Sequence, residues 1–395
     1  MRRRLVRVVV VLGVCLGVVA PPALADGPGV GAPWVAGLGD SYISGEAGRW
    51  AGNSNASESR VDALGSSAYW DTATGEAIPR CHRSKSAEML IGGGVNGVNL
   101  ACSGATTQTS DGDRFKPGLD FYDAGGAKTG QALALQRFAA TRNVRMVTVS
   151  IGGNDFKFAD VVTQCVADFL ASPSWWPDYC YDDSKVKANF TAANVAAVTA
   201  KVRAALLNVR TAMRNAGYAD SQWTLVVQDY ESPVPRGAGF RYGQSGYGRQ
   251  STGGCGFWNR DADWANDTAL PTINGAVRNA ATGSGITNLR LLSLSSAFDG
   301  RRLCETGVDL VEHTVGSWTA PGAVDRSEWV NQIRTVSTIG GNYYLQESLH
   351  PNYWGQLALR SCVRQAYNGG APRGGTCVRS GTGLTSAGEP VMALR

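Results

Sequence analysis

Histidine is scarce in this 395-residue chain: only His82, His313 and His350 occur. Any imidazole base must therefore be one of three residues. The sequence also lacks a C-x-x-C pair and an H-E-x-x-H segment, so the common zinc signatures are missing and no metal site is expected. Charge of one sign is lacking too. Of 37 basic side chains, the arginines at positions 2, 3, 4 and 7 sit in a leader; without them 33 basic groups face 32 acidic ones. Such a near-neutral product has no global field to attract nucleic acid or anionic lipid. Beyond the first residues, no apolar run has the length of a membrane span. There is no internal repeat and no long low-complexity linker.

The leader carries its own signature. Met1-Arg2-Arg3-Arg4 is followed by an apolar stretch from Val8 to Ala20 and by the small-x-small pattern Ala23-Leu24-Ala25. That order describes a secretory signal, and the stretch is short for a retained anchor, the competing reading. Cleavage is expected after Ala25, leaving a single domain over 26–395 that is exported and acts as a monomer. Eight cysteines remain in it: Cys81, Cys102, Cys165, Cys180, Cys255, Cys304, Cys362 and Cys377. An even number in an oxidising compartment reads as disulfides. Pairing neighbours in order is the simplest scheme among the many connectivities open to eight cysteines. The Gly/Ser/Thr-rich tail after about residue 378 is expected to be loosely ordered.

Strand and helix patterns alternate. Apolar or β-branched runs at Trp34–Leu38, Val98–Ala101, Val144–Ile151, Trp223–Gln228 and Leu289–Leu294 suit strands. Helical spacing appears over Gln131–Thr141, Lys185–Asn215 and Trp264–Ala281, and from just after Pro351 to about Tyr367. Repeated strand–helix units predict an α/β fold with a mostly parallel sheet covered on both faces and with disulfide-stapled loop insertions. In such sheets ligands bind beyond the carboxyl ends of the strands, near a change in strand order.

Residues just past the predicted strands carry the chemistry. Ser41 ends Gly37-Leu38-Gly39-Asp40-Ser41, and a serine hydroxyl becomes a nucleophile when a base takes its proton. His350 is the best-placed base, because Glu347 lies three residues earlier and a carboxylate there could orient the imidazole. His82 adjoins Cys81 and reads as structural or exposed; His313 has no evident companion. Asn154, after Gly152-Gly153, can donate its amide to an oxyanion, and Gly104, after the second strand, can offer a backbone N–H. Each tripeptide alone is more often an ordinary turn.

Together they form an ordered set. Gly39-Asp40-Ser41, Ser103-Gly104-Ala105, Gly152-Gly153-Asn154-Asp155 and His350-Pro351-Asn352 resemble the four blocks of the SGNH (GDSL-type) hydrolase superfamily, in the same order. Asp40 to Glu46 and Cys81-His82-Arg83-Ser84 look like its secreted actinobacterial lipases and esterases. The resemblance implies a flavodoxin-like three-layer α/β/α domain without a cofactor. It further implies Ser41 as nucleophile, His350 as base, and an oxyanion hole from Ser41 N–H, Gly104 N–H and the Asn154 side chain. One position departs: the superfamily usually has Asp where Glu347 stands. Either Glu347 replaces it, the favoured account, or a main-chain carbonyl near Gln346 or Glu347 orients His350.

Three functions follow as expectations. The first is a carboxylic-ester hydrolase acting on small-molecule or lipid esters. The second is a carbohydrate esterase with the same core chemistry, and the third a silent binding protein on the same fold. The stretch Phe169–Pro177, with Trp175-Trp176, is expected to pack its aromatics onto the core, transient contact with a lipid interface being the alternative.

Overall fold

The computed structural model describes residues 28–334 and 345–395. The secretory signal expected over 1–25 lies outside the described residues. Seven strands form one sheet: β1 (Pro33–Gly39), β2 (Asn96–Asn99), β3 (Asn143–Ser150), β4 (Thr224–Gln228), β5 (Leu289–Ser293), β6 (Gly375–Leu384) and β7 (Pro390–Leu394). Their order is β2-β1-β3-β4-β5-β6-β7, parallel throughout except for the antiparallel β6–β7 pair. The first five strands thus follow the 2-1-3-4-5 order of flavodoxin-like sheets. The chain leaves β1 toward β2 on one side and resumes at β3 on the other, so the switch point lies between β1 and β3.

Both faces of the sheet are buried, as a parallel sheet requires. Successive residues point to opposite cores: Val35, Met146 and Val226 to one, Ala36, Val147 and Val227 to the other. The second core is closed by α2 (Gln131–Ala139), α4 (Ala192–Asn215) and α5 (Leu270–Thr282); α4 turns Val198, Val202, Leu206, Val209 and Met213 inward. The first is closed by α6 (Tyr353–Tyr367) together with long insertions. Two shorter pieces matter for the site, α1 (Ser41–Ser44) and α3 (Phe158–Ala171).

Disulfides join Cys81–Cys102, Cys165–Cys180, Cys255–Cys304 and Cys362–Cys377, neighbours in order as expected. The Cys255–Cys304 bridge spans the widest sequence gap of the four, 49 residues, and staples two of the insertions to each other. Other expectations need correction. The helix expected over Lys185–Asn215 breaks after Asn189, where Thr191 caps α4 by accepting the Asn194 N–H at 3.3 Å. The break lets Phe190 stack on Phe156 and meet Trp264 edge-on. The helix expected from Trp264 opens into a wide turn over Ala265–Ala269 before α5, because Pro271 has no N–H for the regular ladder. The tail after residue 378 is not loose. It forms the β6–β7 hairpin at the sheet edge, with Pro390, Met392 and Leu394 alternately buried and with Cys377 tied to α6.

Candidate active site

The end of β1 is shaped by Gly39. Its φ is +137°, and a Cβ there would lie 1.8 Å from the Ser150 carbonyl oxygen, so only glycine lets the chain turn out of the sheet. Gln131 braces the same point, accepting from Gly39 N–H at 2.7 Å and donating to its carbonyl at 2.8 Å. Asp40 then caps α1, accepting the Tyr42 N–H at 3.2 Å, and Ser41 becomes the first helical residue. Its N–H has no acceptor within the helix.

His350 comes from no strand of the main sheet. It lies just before α6, in a loop fixed by Leu349 N–H to Asn331 O (3.0 Å), Asn331 N–H to His350 O (2.9 Å) and Tyr42 O–H to Leu349 O (3.1 Å). Asn352 caps α6 behind it. The structure brings His350 Nε2 to 2.7 Å from Ser41 Oγ, and His350 Nδ1 to 2.9 Å from the Ser348 carbonyl. A carbonyl can only accept, so Nδ1 carries the proton and Nε2 is left to accept from the serine hydroxyl. Burial lowers the His350 pKa below 6.5; nearby His82 adds to this, while Glu46 and the Ser348 carbonyl oppose it.

Glu347 does not fill the place expected of it. Its carboxylate is fully buried and accepts from Trp50 Nε1–H at 2.8 Å and from the Tyr69 hydroxyl. The Ser348 main-chain carbonyl holds Nδ1 instead. Because Leu349 adopts a left-handed φ of +60°, the chain turns sharply between Glu347 and His350. The account of a main-chain carbonyl near Gln346 or Glu347 thus describes the geometry, with the acceptor on Ser348, next to Glu347.

Gly104 and Asn154 line the same cavity as Ser41 and His350. Gly104 has φ +79°, and a Cβ placed there would meet nothing closer than 3.6 Å, so its conformation rather than crowding favours glycine. Its N–H donates to no main-chain acceptor among the described residues. Asn154 donates through Nδ2 to Ala105 O at 2.8 Å, which orients the amide and joins the loop after β3 to the loop after β2. Asp155 strengthens that junction by accepting from Thr107 N–H (3.0 Å) and Oγ1–H (2.9 Å). Ser41, Gly104 and Asn154 therefore stand at the carboxyl ends of β1, β2 and β3, around the switch point.

Several supporting residues escaped sequence reasoning. Tyr230, after β4, donates to Asp40 Oδ2 at 2.5 Å and accepts the Gly153 N–H at 2.9 Å. Burial raises Asp40 to about 7, against the hydrogen bonds from Tyr230 and the Tyr42 amide. Glu231, also buried, lines the cavity with Oε1 unpartnered among the described residues, and burial raises its pKa well above the ordinary carboxyl range. His82 is buried rather than exposed and pairs with Glu46 at 2.6 Å. His313 is half-exposed and meets Asp309 at 3.2 Å; it does not line the cavity. The neighbouring Cys81 and the resemblance carried by Cys81-His82-Arg83-Ser84 were the hints that His82 belongs to the site's framework.

The cavity has a volume of about 540 Å³. One wall is a ladder on α3: Phe158, Val162, Val166 and Leu170, each four residues from the next. Leu270 and Ile273 of α5 face it. At the rise of an α-helix the ladder runs for about 18 Å. Beyond it, the Phe169–Pro177 stretch departs from expectation. Phe169 is buried on Trp258, but Trp175 and Trp176 are 81% and 74% exposed. The Cys165–Cys180 bridge and Asp178 N–H to Ser172 Oγ (2.9 Å) hold the loop.

No family model and no curated protein matches this chain. Solved structures are similar at low identity. An extracellular lipase from Streptomyces rimosus is 21% identical, with 85% of this chain and 100% of that one covered, at a TM-score of 0.46. A phospholipase A1 from Streptomyces albidoflavus NA297 is 20% identical, with 86% and 100% covered, at 0.38. A family two carbohydrate esterase from Clostridium thermocellum is 10% identical, with 85% and 63% covered, at 0.36. At such TM-scores the likeness carries no weight for function, and the site stands on its own geometry.

Proposed function

We propose that this chain is a secreted serine carboxylic-ester hydrolase acting on lipid esters. The observation that carries the reading is the 2.7 Å contact between Ser41 Oγ and an unprotonated His350 Nε2, opening on a cavity with one wall formed by the apolar side chains of α3. In the proposed reaction Ser41 Oγ attacks the ester carbonyl carbon as its proton passes to His350 Nε2. The oxyanion is held by Ser41 N–H, Gly104 N–H and the Asn154 amide. The carbonyl re-forms, the C–O bond to the alcohol breaks, and the alcohol leaves with the proton from His350. Water, deprotonated by His350, then attacks the acyl-enzyme and releases the acid. This chemistry calls for no metal or organic cofactor.

The α3 ladder supports an acyl chain as the occupant of the cavity, since it offers burial without hydrogen-bond partners. A carbohydrate esterase would need polar groups to hold sugar hydroxyls, which makes it the second reading. A silent binding protein is disfavoured by the intact Ser41–His350 contact. Trp175 and Trp176 fit transient contact with a lipid–water interface, where indole rings partition. Export of a single domain from residue 26 onward accords with the leader and with four disulfides.

Intact-mass analysis after a fluorophosphonate probe tests the nucleophile. Wild type gains one adduct and Ser41→Ala none; an adduct surviving the substitution would remove Ser41. Among p-nitrophenyl esters, octanoate and longer chains are expected to exceed acetate in kcat/KM. Hydrolysis of acetate alone would favour the carbohydrate-esterase reading.

A further inference from the structure

Three loops must meet for the proposed reaction: one after β1 with Ser41, one after β2 with Gly104, and the one before α6 with His350. All three converge a second time, on a polar cluster, buried at Glu46 and His82 and reaching the cavity at Gln346, that contacts neither Ser41 Oγ nor His350 Nε2. Glu46, two residues past α1, accepts at Oε1 from His82 Nδ1–H at 2.6 Å and at Oε2 from Gln346 Nε2–H at 2.8 Å. The Gln346 amide also reaches Ser103 Oγ and the Arg80 carbonyl, each at 3.3 Å, and lies 3.1 Å from His82 Nδ1.

Each member is anchored to one of the working loops. Glu46 N–H donates to the Ser41 carbonyl at 3.2 Å. His82 follows Cys81, which is bridged to Cys102 and accepts the Ser103 N–H at 3.0 Å, one residue before Gly104. Gln346 lies in the turn Leu345–Glu347, four residues before His350 and two before the Ser348 carbonyl. The Tyr69 ring stacks on His82 at 4.3 Å, and its hydroxyl holds the Glu347 carboxylate in that same turn.

We propose that Glu46, His82 and Gln346 form a positioning cluster that sets the alignment of nucleophile, oxyanion loop and base; the proposal rests on the ester-hydrolase reading of Ser41 and His350. One carboxylate fits this task because it has two acceptor oxygens and can bind two segments in fixed directions. Misplacing reacting groups by about 1 Å costs about 100-fold in rate, so loss of the cluster is expected to act on turnover.

Each member of the pair favours the charged form of the other. Burial would raise the Glu46 carboxyl, but the charge and hydrogen bond of His82 outweigh it and bring it to about 2. Burial opposes the charge on His82, yet Glu46, with Glu76 and Glu347, raises its pKa above 6.5. The other groups facing the pair are His350, the Tyr69 ring and, near the carboxylates, Lys116. Glu46 raises and His82 lowers the His350 pKa, so removing one charge alone is expected to move the acid limb of the rate profile. Loss of the Glu46 charge moves that limb down; loss of the His82 charge moves it up.

The test uses full-length Glu46→Gln, His82→Gln and Gln346→Ala enzymes on soluble p-nitrophenyl butyrate, with the fluorophosphonate labelling rate of Ser41 as a second readout. Each variant is expected to lose about 10- to 100-fold in kcat with KM within about twofold, and labelling should slow in parallel. Combining Glu46→Gln with His82→Gln should cost little more than the worse single change. Glu46→Asp should recover part of the loss. Gln346→Ala removes only a surface-reaching link and guards against misfolding in the other two. Folded variants with wild-type kcat and unmoved pH profiles would overturn the cluster. A wild type inert on every ester would instead overturn the hydrolase reading.

Discussion

The wall behind His350 and the wall that faces the cavity are built on opposite principles. Behind lies a polar cross-bracing in which Glu46 and Glu347 each receive directed hydrogen bonds from distant segments. In front lies the α3 ladder, apolar and non-directional. Directed bonds hold two atoms at one separation, as proton transfer from Ser41 to His350 requires. Apolar contact tolerates sliding, which suits an acyl chain of variable length. The difference separates alignment from selectivity: damage behind should cost turnover on every ester, damage in front only on some.

The largest effect should come where the two walls meet. Asn154→Ala is expected to lower kcat by about 100- to 1,000-fold on all chain lengths, with the folded state intact by circular dichroism. Selective loss on long chains would mean that Asn154 belongs to the front wall instead. Next, Val166→Phe should narrow the ladder. It is expected to reduce kcat/KM for p-nitrophenyl palmitate by about tenfold or more while sparing the acetate, the discrimination a hydrophobic pocket supplies. An equal loss on both esters would collapse the distinction between the walls.

Glu347→Gln probes the back wall without touching His350 Nδ1. Turnover of the folded enzyme is expected to fall less than about tenfold, while stability to urea drops by about 1–3 kcal/mol as one of the two carboxylate acceptors used by Trp50 and Tyr69 is replaced by a donor. A fall of several thousandfold in turnover would restore the carboxylate as the orienting group. At the outer rim, Trp175→Ala with Trp176→Ala should leave soluble esters unaffected and slow hydrolysis of emulsified triacylglycerol several-fold, by lost burial of indole at the interface. The smallest expected effect is in pH. His350 must be neutral to accept a proton, and burial favours the neutral form. The acid limb of kcat/KM should therefore fall at a midpoint below 6.5. A midpoint above 6.5 would mean that Glu46 outweighs burial.

The strand ends were legible because short apolar runs followed by glycine are local signals, and Ser41, Gly104 and Asn154 come directly after them. The break after Asn189 and the widened turn over Ala265–Ala269 were not, since periodicity continued across them while Thr191 and Pro271 decided the backbone. The tail was misread because its glycines and serines hid an alternation that only pairing with β6 and packing on α6 make meaningful. The exposure of Trp175 and Trp176 was likewise out of reach, because composition does not say which way a stapled loop faces.

By itself the sequence determined the chemical parts: a serine after a strand, three histidines to choose from, an asparagine after paired glycines, and an even set of cysteines. Those depend on contacts between residues near in the chain, or on residue type alone. What supports His350 was decided only by the tertiary structure. Trp50, Tyr69 and Glu46 reach the loop carrying His350 from 297, 278 and 300 residues away, to Glu347 and Gln346. No local pattern encodes bonds that long, and which oxygen faces Nδ1 turned on a single left-handed residue, Leu349.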